Sequence, residues 1–207
     1  MGAKPATNTR ELQRLIERLI PVVDDSFRVL YDSEERTRPH PPAPSALIAA
    51  FEQKHRLKFP PSYRVFLRLH NGWERYADGY SFVGVTGRHT ARALADIKKT
   101  VTIFLDSWVQ TYGEPNADSI RQYQSRGNLA NRLEVDGQPF LPIMVHFGTN
   151  FNGGLRFFAP DKPQPEGELE VVSWSSRGGT LTRYRSFVDM LRQDLHRLTK
   201  EVKTHPR

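Results

Sequence analysis

Seven histidines, twenty-three carboxylates and no cysteine set the limits of the chemistry this 207-residue chain can hold. The histidines, at positions 40, 55, 70, 89, 146, 196 and 205, form no HExxH pair and no spacing of two histidines with a carboxylate, so no metal site is expected. The lack of cysteine excludes disulfides, thiol nucleophiles and cysteine-ligated zinc. No serine sits in a Gly-x-Ser-x-Gly elbow. The carboxylates of residues 73–140 are matched by an equal number of basic residues, which leaves no candidate couple of acid and base. The glycine-rich run 148–154, GTNFNGG, imitates a phosphate-cradling loop, but the LRFF that follows reads as strand. A phosphate loop needs a helix N-terminus there, so the run is taken as a hairpin turn centred on Asn152-Gly153. The expectation is a protein that binds without catalysing and holds no cofactor.

Basic residues remain. The net charge of +7 is uneven: residues 45–72 carry five basic side chains against one acidic, residues 184–207 six against three, and the other segments balance. Lys54, Arg56, Lys58, Arg64 and Arg68, with His55 and Tyr63 near them, offer contacts for a phosphate backbone. Against nucleic acid stands the position of Tyr63 on an apolar stripe, where it is core and no stacking platform. An ordinary solvated helix face accounts for the same charges. If the two basic segments are neighbours, they form one basic face, with Lys54, Lys58, Arg64 and Arg68 as its candidates.

The elements that would position these residues follow from periodicity. Asn8 and Glu11 form a capping box for a first helix with the stripe Leu12, Leu15, Ile16, Leu19 and Ile20, which Pro21 is expected to end. Arg14, Glu17 and Arg18 interrupt that stripe, so it is no secretion signal and the expected compartment is the cytoplasm. Residues 22–31 fit a strand or a short helix, and 32–44 a proline-rich loop. Ser45 is expected to cap a helix burying Leu47, Ile48 and Phe51. Pro61 suits the first turn of another, with Tyr63, Phe66, Leu67 and His70 on one face, stopped by Asn71-Gly72. His70 there would complement the helix dipole.

Strands are expected at 80–85, 141–147, 155–158 and 169–174. A long helix runs from Thr90 to Tyr112, a second covers 118–126, and 127–138 form a polar connection. Residues 160–167 form a loop and Arg177-Gly178-Gly179 a turn, after which Ser186 caps a closing helix with Phe187, Met190, Leu191, Leu195, Leu198 and Val202 inward. This is an α+β chain of one domain's length.

The run Ile48-x-x-Phe51-Glu52, Leu57-x-Phe59-Pro60-x-x-Tyr63-x-x-Phe66-Leu67, Asn71-Gly72-Trp73 resembles the opening signature of the SUKH superfamily, which joins fungal cell-wall regulators to bacterial toxin-immunity proteins. The family usually has Leu-Pro where this chain has Phe59-Pro60, and residues 88–138 look expanded. The resemblance implies a domain at about 45–198, its helices packed on a small curved, mainly antiparallel sheet. Residues 1–44 would be a helical and proline-rich lead-in and 199–207 a basic tail. It also implies an immunity protein that occludes a cognate toxin, one with an acidic patch if the basic face steers the encounter. A scaffold or regulatory module of the fungal kind is the alternative. From loop position and chemistry, Trp73, Glu74, Arg75 and Tyr76, with Asn150, Asn152 and Arg156 near the hairpin, are the candidate partner contacts.

Overall fold

The computed structural model describes residues 9–125, 139–176 and 180–205. Among these residues six α-helices accompany a seven-stranded, open antiparallel sheet whose strands follow one another in chain order. The helices are α1 (Thr9–Tyr31), α2 (Ser45–His55), α3 (Pro61–Leu69), α4 (Arg88–Tyr112), α5 (Ala117–Ser125) and α6 (Phe187–Thr204). The strands are β1 (Arg38–Pro39), β2 (Trp73–Glu74), β3 (Ser81–Phe82), β4 (Val145–Thr149), β5 (Gly154–Pro163), β6 (Leu169–Ser175) and β7 (Thr180–Tyr184). The Asn8 end of the expected capping box, the 127–138 connection and the 177–179 turn lie outside the described residues.

Both faces of the sheet are covered. Strand β5 buries Leu155 to Ala159 without a break, which alternation on a half-exposed strand would not allow. Arg156 and Phe158 point to α3 and α6, Phe158 meeting Tyr63 and Phe187. Phe157 points the other way, toward Phe140 and His146. Helix α4 closes that second face, with Phe104 edge-on to Trp174 at 4.9 Å and Asp96 accepting from Thr149 Oγ1 at 2.6 Å.

Tyr63 is the hub of the first face. Its ring lies 5.0 to 5.3 Å from those of Phe59, Phe66, Phe147, Phe158 and Phe187, and its hydroxyl donates to the Val83 carbonyl at 2.6 Å. Two buried carboxylates fix the proline corner around it. Glu52 accepts from the Phe59 amide at 2.8 Å and from Arg64. Glu168 accepts from the Ser62 amide and hydroxyl at 2.8 and 2.6 Å, placing negative charge at the start of α3 where the helix dipole favours it. Gly72 has φ of +90° and packs so closely that a Cβ would stand 2.7 Å from the Phe82 carbonyl oxygen. Asn71 beside it holds the next segment, accepting from the Val85 amide and donating to Thr86.

Several expectations change. Helix α1 passes through Pro21 to Tyr31, because Val23 and Ser26 continue its buried stripe. That burial outweighs the roughly 3 kcal/mol an interior proline costs. Ser45 is the first residue of α2 and makes no cap hydrogen bond; Pro44 holds the N-cap position, and Leu47 is 43% exposed. The 141–147 alternation begins as a 3-10 turn, Leu141–Ile143, because Pro142 lacks an amide for the ladder, and Ile143 faces outward. Of 80–85 only Ser81–Phe82 pairs as strand. Strand β7 is an addition, and the edge strand β1 forms within the expected loop. Helix α4 holds to Tyr112 despite its β-branched run, Pro61 opens α3, and Ser186 accepts from the Asp189 amide at 3.2 Å.

Candidate partner-binding surface

Three of the seven candidate contacts are core. Trp73 has no exposed surface; its Nε1 donates to Thr37 Oγ1 and its ring stands edge-on to Tyr76. Tyr76 is equally buried, and its hydroxyl donates to Asp194 at 3.1 Å. Arg156 is 2% exposed, donates to Asp194 at 2.9 Å, and lies over the Tyr80 ring at 4.4 Å. Loop position suggested exposure for the two aromatics, but β2 and the turn after it fold under α6. Tyr76 and Arg156 tie the sheet side to Asp194 of α6, Trp73 ties β2 to Thr37 beside β1, and none of the three is on a pre-formed docking surface.

Arg156 and Asp194 form a buried ionic centre that spacing on the chain did not disclose. Burial acts against the Arg156 charge, but Asp194 and the tyrosines around it more than offset this and hold the guanidinium ionised. Burial raises the Tyr76 hydroxyl well above its usual range, with Asp194 adding to it, so this phenol is a donor and no base. The second arginine of the centre, Arg197, bridges Asp78, Asp194 and Glu201 at the edge.

The remaining candidates reach the surface differently. Asn150 builds the hairpin, its Oδ1 accepting from the amides of Asn152 at 3.0 Å and Gly154 at 2.8 Å. Glu74 and Arg75 line a shallow cleft of about 390 Å³ with Arg92 and Phe151. Arg92 lies over the Phe151 ring at 4.4 Å, and Arg75 pairs with Glu35. Asn152 follows Phe151 and is exposed. The structure thus brings the loop after the signature and the hairpin to one surface through Glu74, Arg75 and Phe151.

A larger groove, about 1110 Å³, lies between the proline corner, α4 and the turn before β4. Phe59, Ile97 and Met144 are buried at its floor, and Ile143 is 48% exposed beside them. Arg56, Lys58 and Lys98 are exposed on its lining. Arg56 comes there because it ends α2 in the left-handed conformation, φ +50°. Lys98, on α4 and outside the signature, was not among the candidates; its i+4 spacing from Leu94 on the core stripe was the available signal.

The single basic face divides. Arg64 also lines this groove but is engaged by Glu52 at 2.6 Å. Lys54 and Arg68 are exposed and line neither this groove nor the one between α1 and α6. Arg192, Lys200 and Lys203 line the latter. Charge summed over the chain could not show the division, because α2, α3 and α6 turn their outer faces in different directions.

His70 proves to be a tie. Its Nδ1 lies 3.2 Å from the His40 carbonyl, and burial lowers its pKa, so it adds no charge to the helix dipole. His146 is pushed down to about 4 by burial, only partly offset by its hydrogen bond to the Leu141 carbonyl. Among the described residues no three histidine, aspartate or glutamate side chains are grouped to hold a metal ion. No helix among them is long and apolar enough to cross a membrane.

Residues 42–193 match the model of the SMI1/KNR4 family (SUKH-1). No curated protein gives a significant match. The matched stretch begins ahead of α2 and ends inside α6, so α1 and the last eleven residues of that helix fall outside it.

Proposed function

The chain belongs to the SMI1/KNR4 family (SUKH-1), and from that membership we propose that it is an immunity protein, binding and neutralising a cognate bacterial toxin by stoichiometric occlusion. It acts by binding, without turnover, in the cytoplasm. The observation that supports this best is the groove beside the proline corner, where an apolar floor meets the cations Arg56, Lys58 and Lys98. An apolar centre with a charged rim is the usual anatomy of a specific interface. The cations favour a toxin with an acidic docking patch, chiefly through faster encounter. A complete interface would bury about 1,600 Å², and the cleft carrying Glu74 and Arg75 is a further contact.

The test is affinity capture of the tagged chain from its native cells at moderate and high salt, followed by co-expression with whatever is captured. One near-stoichiometric protein, toxic alone and harmless beside this chain, is the expected result. A Lys58→Glu/Lys98→Glu variant should capture less of it. Several substoichiometric partners with no toxicity would replace this reading with the scaffold, and nucleic acid released by salt would replace both.

A further inference from the structure

A second groove, about 970 Å³, runs between α1 and α6. We propose that it is a docking site for an acidic amphipathic helix of a protein partner. Apart from Arg192, its lining lies outside the stretch that matches the family, so it belongs to what this chain adds to the family domain. The proposal stands whether or not the partner is a toxin.

The two helices carry basic residues at matching intervals. Arg10, Arg14 and Arg18 recur every four residues on α1, and Arg192, His196 and Lys200 do so on α6, followed by Lys203. Four residues of helix rise about 6 Å, so each row repeats at the pitch at which another helix presents glutamates four apart. Between the rows the floor is Leu15, Leu195 and the half-buried Thr199. Two cationic flanks around an apolar strip are complementary to a helix with one leucine stripe and acids on both sides of it, the helix-in-groove arrangement.

Local stability does not explain the rows. Like charges four apart on a helix are mildly destabilising, and Arg10 lies in the first turn of α1, where the dipole disfavours a cation. Of the nearby acids, Glu11 on the same lining pairs with Arg192 of the α6 row, and Glu17 accepts from Gln13 at 3.0 Å. Among the described residues Arg14, Arg18, Lys200 and Lys203 have no carboxylate within ion-pair distance. Nucleic acid fits less well. The lining holds no phenylalanine, tyrosine or tryptophan to stack on a base, and the site is a concave strip, not an element that enters a duplex groove.

The experiment uses the full chain and a fluorescent synthetic helix of about 18 residues, roughly 27 Å long, with a leucine stripe flanked by glutamates. Controls are the same peptide with lysine for glutamate and a single-stranded oligothymidine. The acidic peptide should bind, the lysine peptide should not, and Arg14→Glu/Lys200→Glu should weaken binding at least about tenfold, a difference of 1.4 kcal/mol. Lys58→Glu/Lys98→Glu, in the other groove, should leave it unchanged; that contrast also separates this site from the proposed toxin surface. Arg18→Gln/Lys203→Gln, with charges removed but not reversed, replaces the first variant if that one fails to fold. The proposal is overturned if the acidic peptide does not bind, if both groove variants weaken it alike, or if the oligonucleotide binds more tightly.

Discussion

Arg156 and Arg192 each pair with a carboxylate at α6, but one lies beneath the helix and the other is carried on its outer side. The Arg156–Asp194 pair is 2% exposed on both sides, whereas Arg192 and Glu11 are each 55% exposed. Inside, the charges cannot separate without leaving an ion in an apolar medium, and the phenol of Tyr76 and the ring of Tyr80 complete their surroundings. Outside, water replaces either partner at almost no cost. The inner charges therefore fix where α6 sits on the sheet, while the outer ones are available to a ligand.

Breaking the inner pair should have the largest effect. Asp194→Ala takes the buried carboxylate from the Arg156 guanidinium, leaving it only Asp78 at 3.9 Å, and leaves the Tyr76 hydroxyl without its acceptor, and a loss of about 3–5 kcal/mol is expected in urea unfolding. Replacing both partners, Arg156→Met with Asp194→Leu, should recover the part due to the unpaired charge, while the Tyr76 hydroxyl still lacks its acceptor. A loss under about 1 kcal/mol for the single change would mean that water reaches the pair and that the inner and outer arginines do not differ as described.

Glu168→Ala tests a buried carboxylate with neutral partners. It orphans the Ser62 amide and hydroxyl at the start of α3, and about 2 kcal/mol should be lost. Because Glu168 joins β6 to the proline corner, hydrogen exchange should rise in α3 before it rises in β5. Equal acceleration in both would show that the corner does not open as a separate unit.

Acid should act on the interior next. His146 is held down to about 4, and burial lowers His40 and His70 as well. Their unfolded value is about 6.5, so the unfolded chain takes up protons first. The stability these groups contribute is complete above about pH 6.5 and is lost as pH falls toward 4, with a slope of at most about 1.4 kcal/mol per pH unit for each histidine. Thermal melts between pH 7 and 4 should show this, and His146→Gln should flatten the lower part of the curve. An unchanged slope would place the proton uptake elsewhere.

Where sequence reading succeeded, one residue's type settled its environment. Pro61, Asn71-Gly72, Asn152-Gly153 and Ser186 did so through backbone chemistry, and the signature residues delivered the family and the α+β class. It failed where distant packing decided. Pro21 stays helical because Val23 and Ser26 are buried. Strand β7 escaped notice because Leu181 is its one aliphatic residue; its pairing with β6 is what makes it a strand. Arg156 reads as surface by type, and only the fold brings Asp194 to it, thirty-eight residues away. The α1 row of the outer groove was hidden in a segment whose charges cancel, seven against seven, although its four-residue spacing was visible.

The smallest effect carries the comparison furthest. Arg14→Glu alone should change stability by no more than a few tenths of a kcal/mol, because the repulsions it removes on α1, with Arg10 and Arg18, are offset by those it creates with Glu11 and Glu17 three residues away. Chemical denaturation with replicate midpoints resolves a shift of that size if the slope is unchanged. Unchanged stability would mean that the row contributes nothing to the folded chain and is a surface free to serve a partner. A loss of more than about 1 kcal/mol would make Arg14 a structural residue like Arg156, and the inside and outside of α6 would then differ in exposure but not in role.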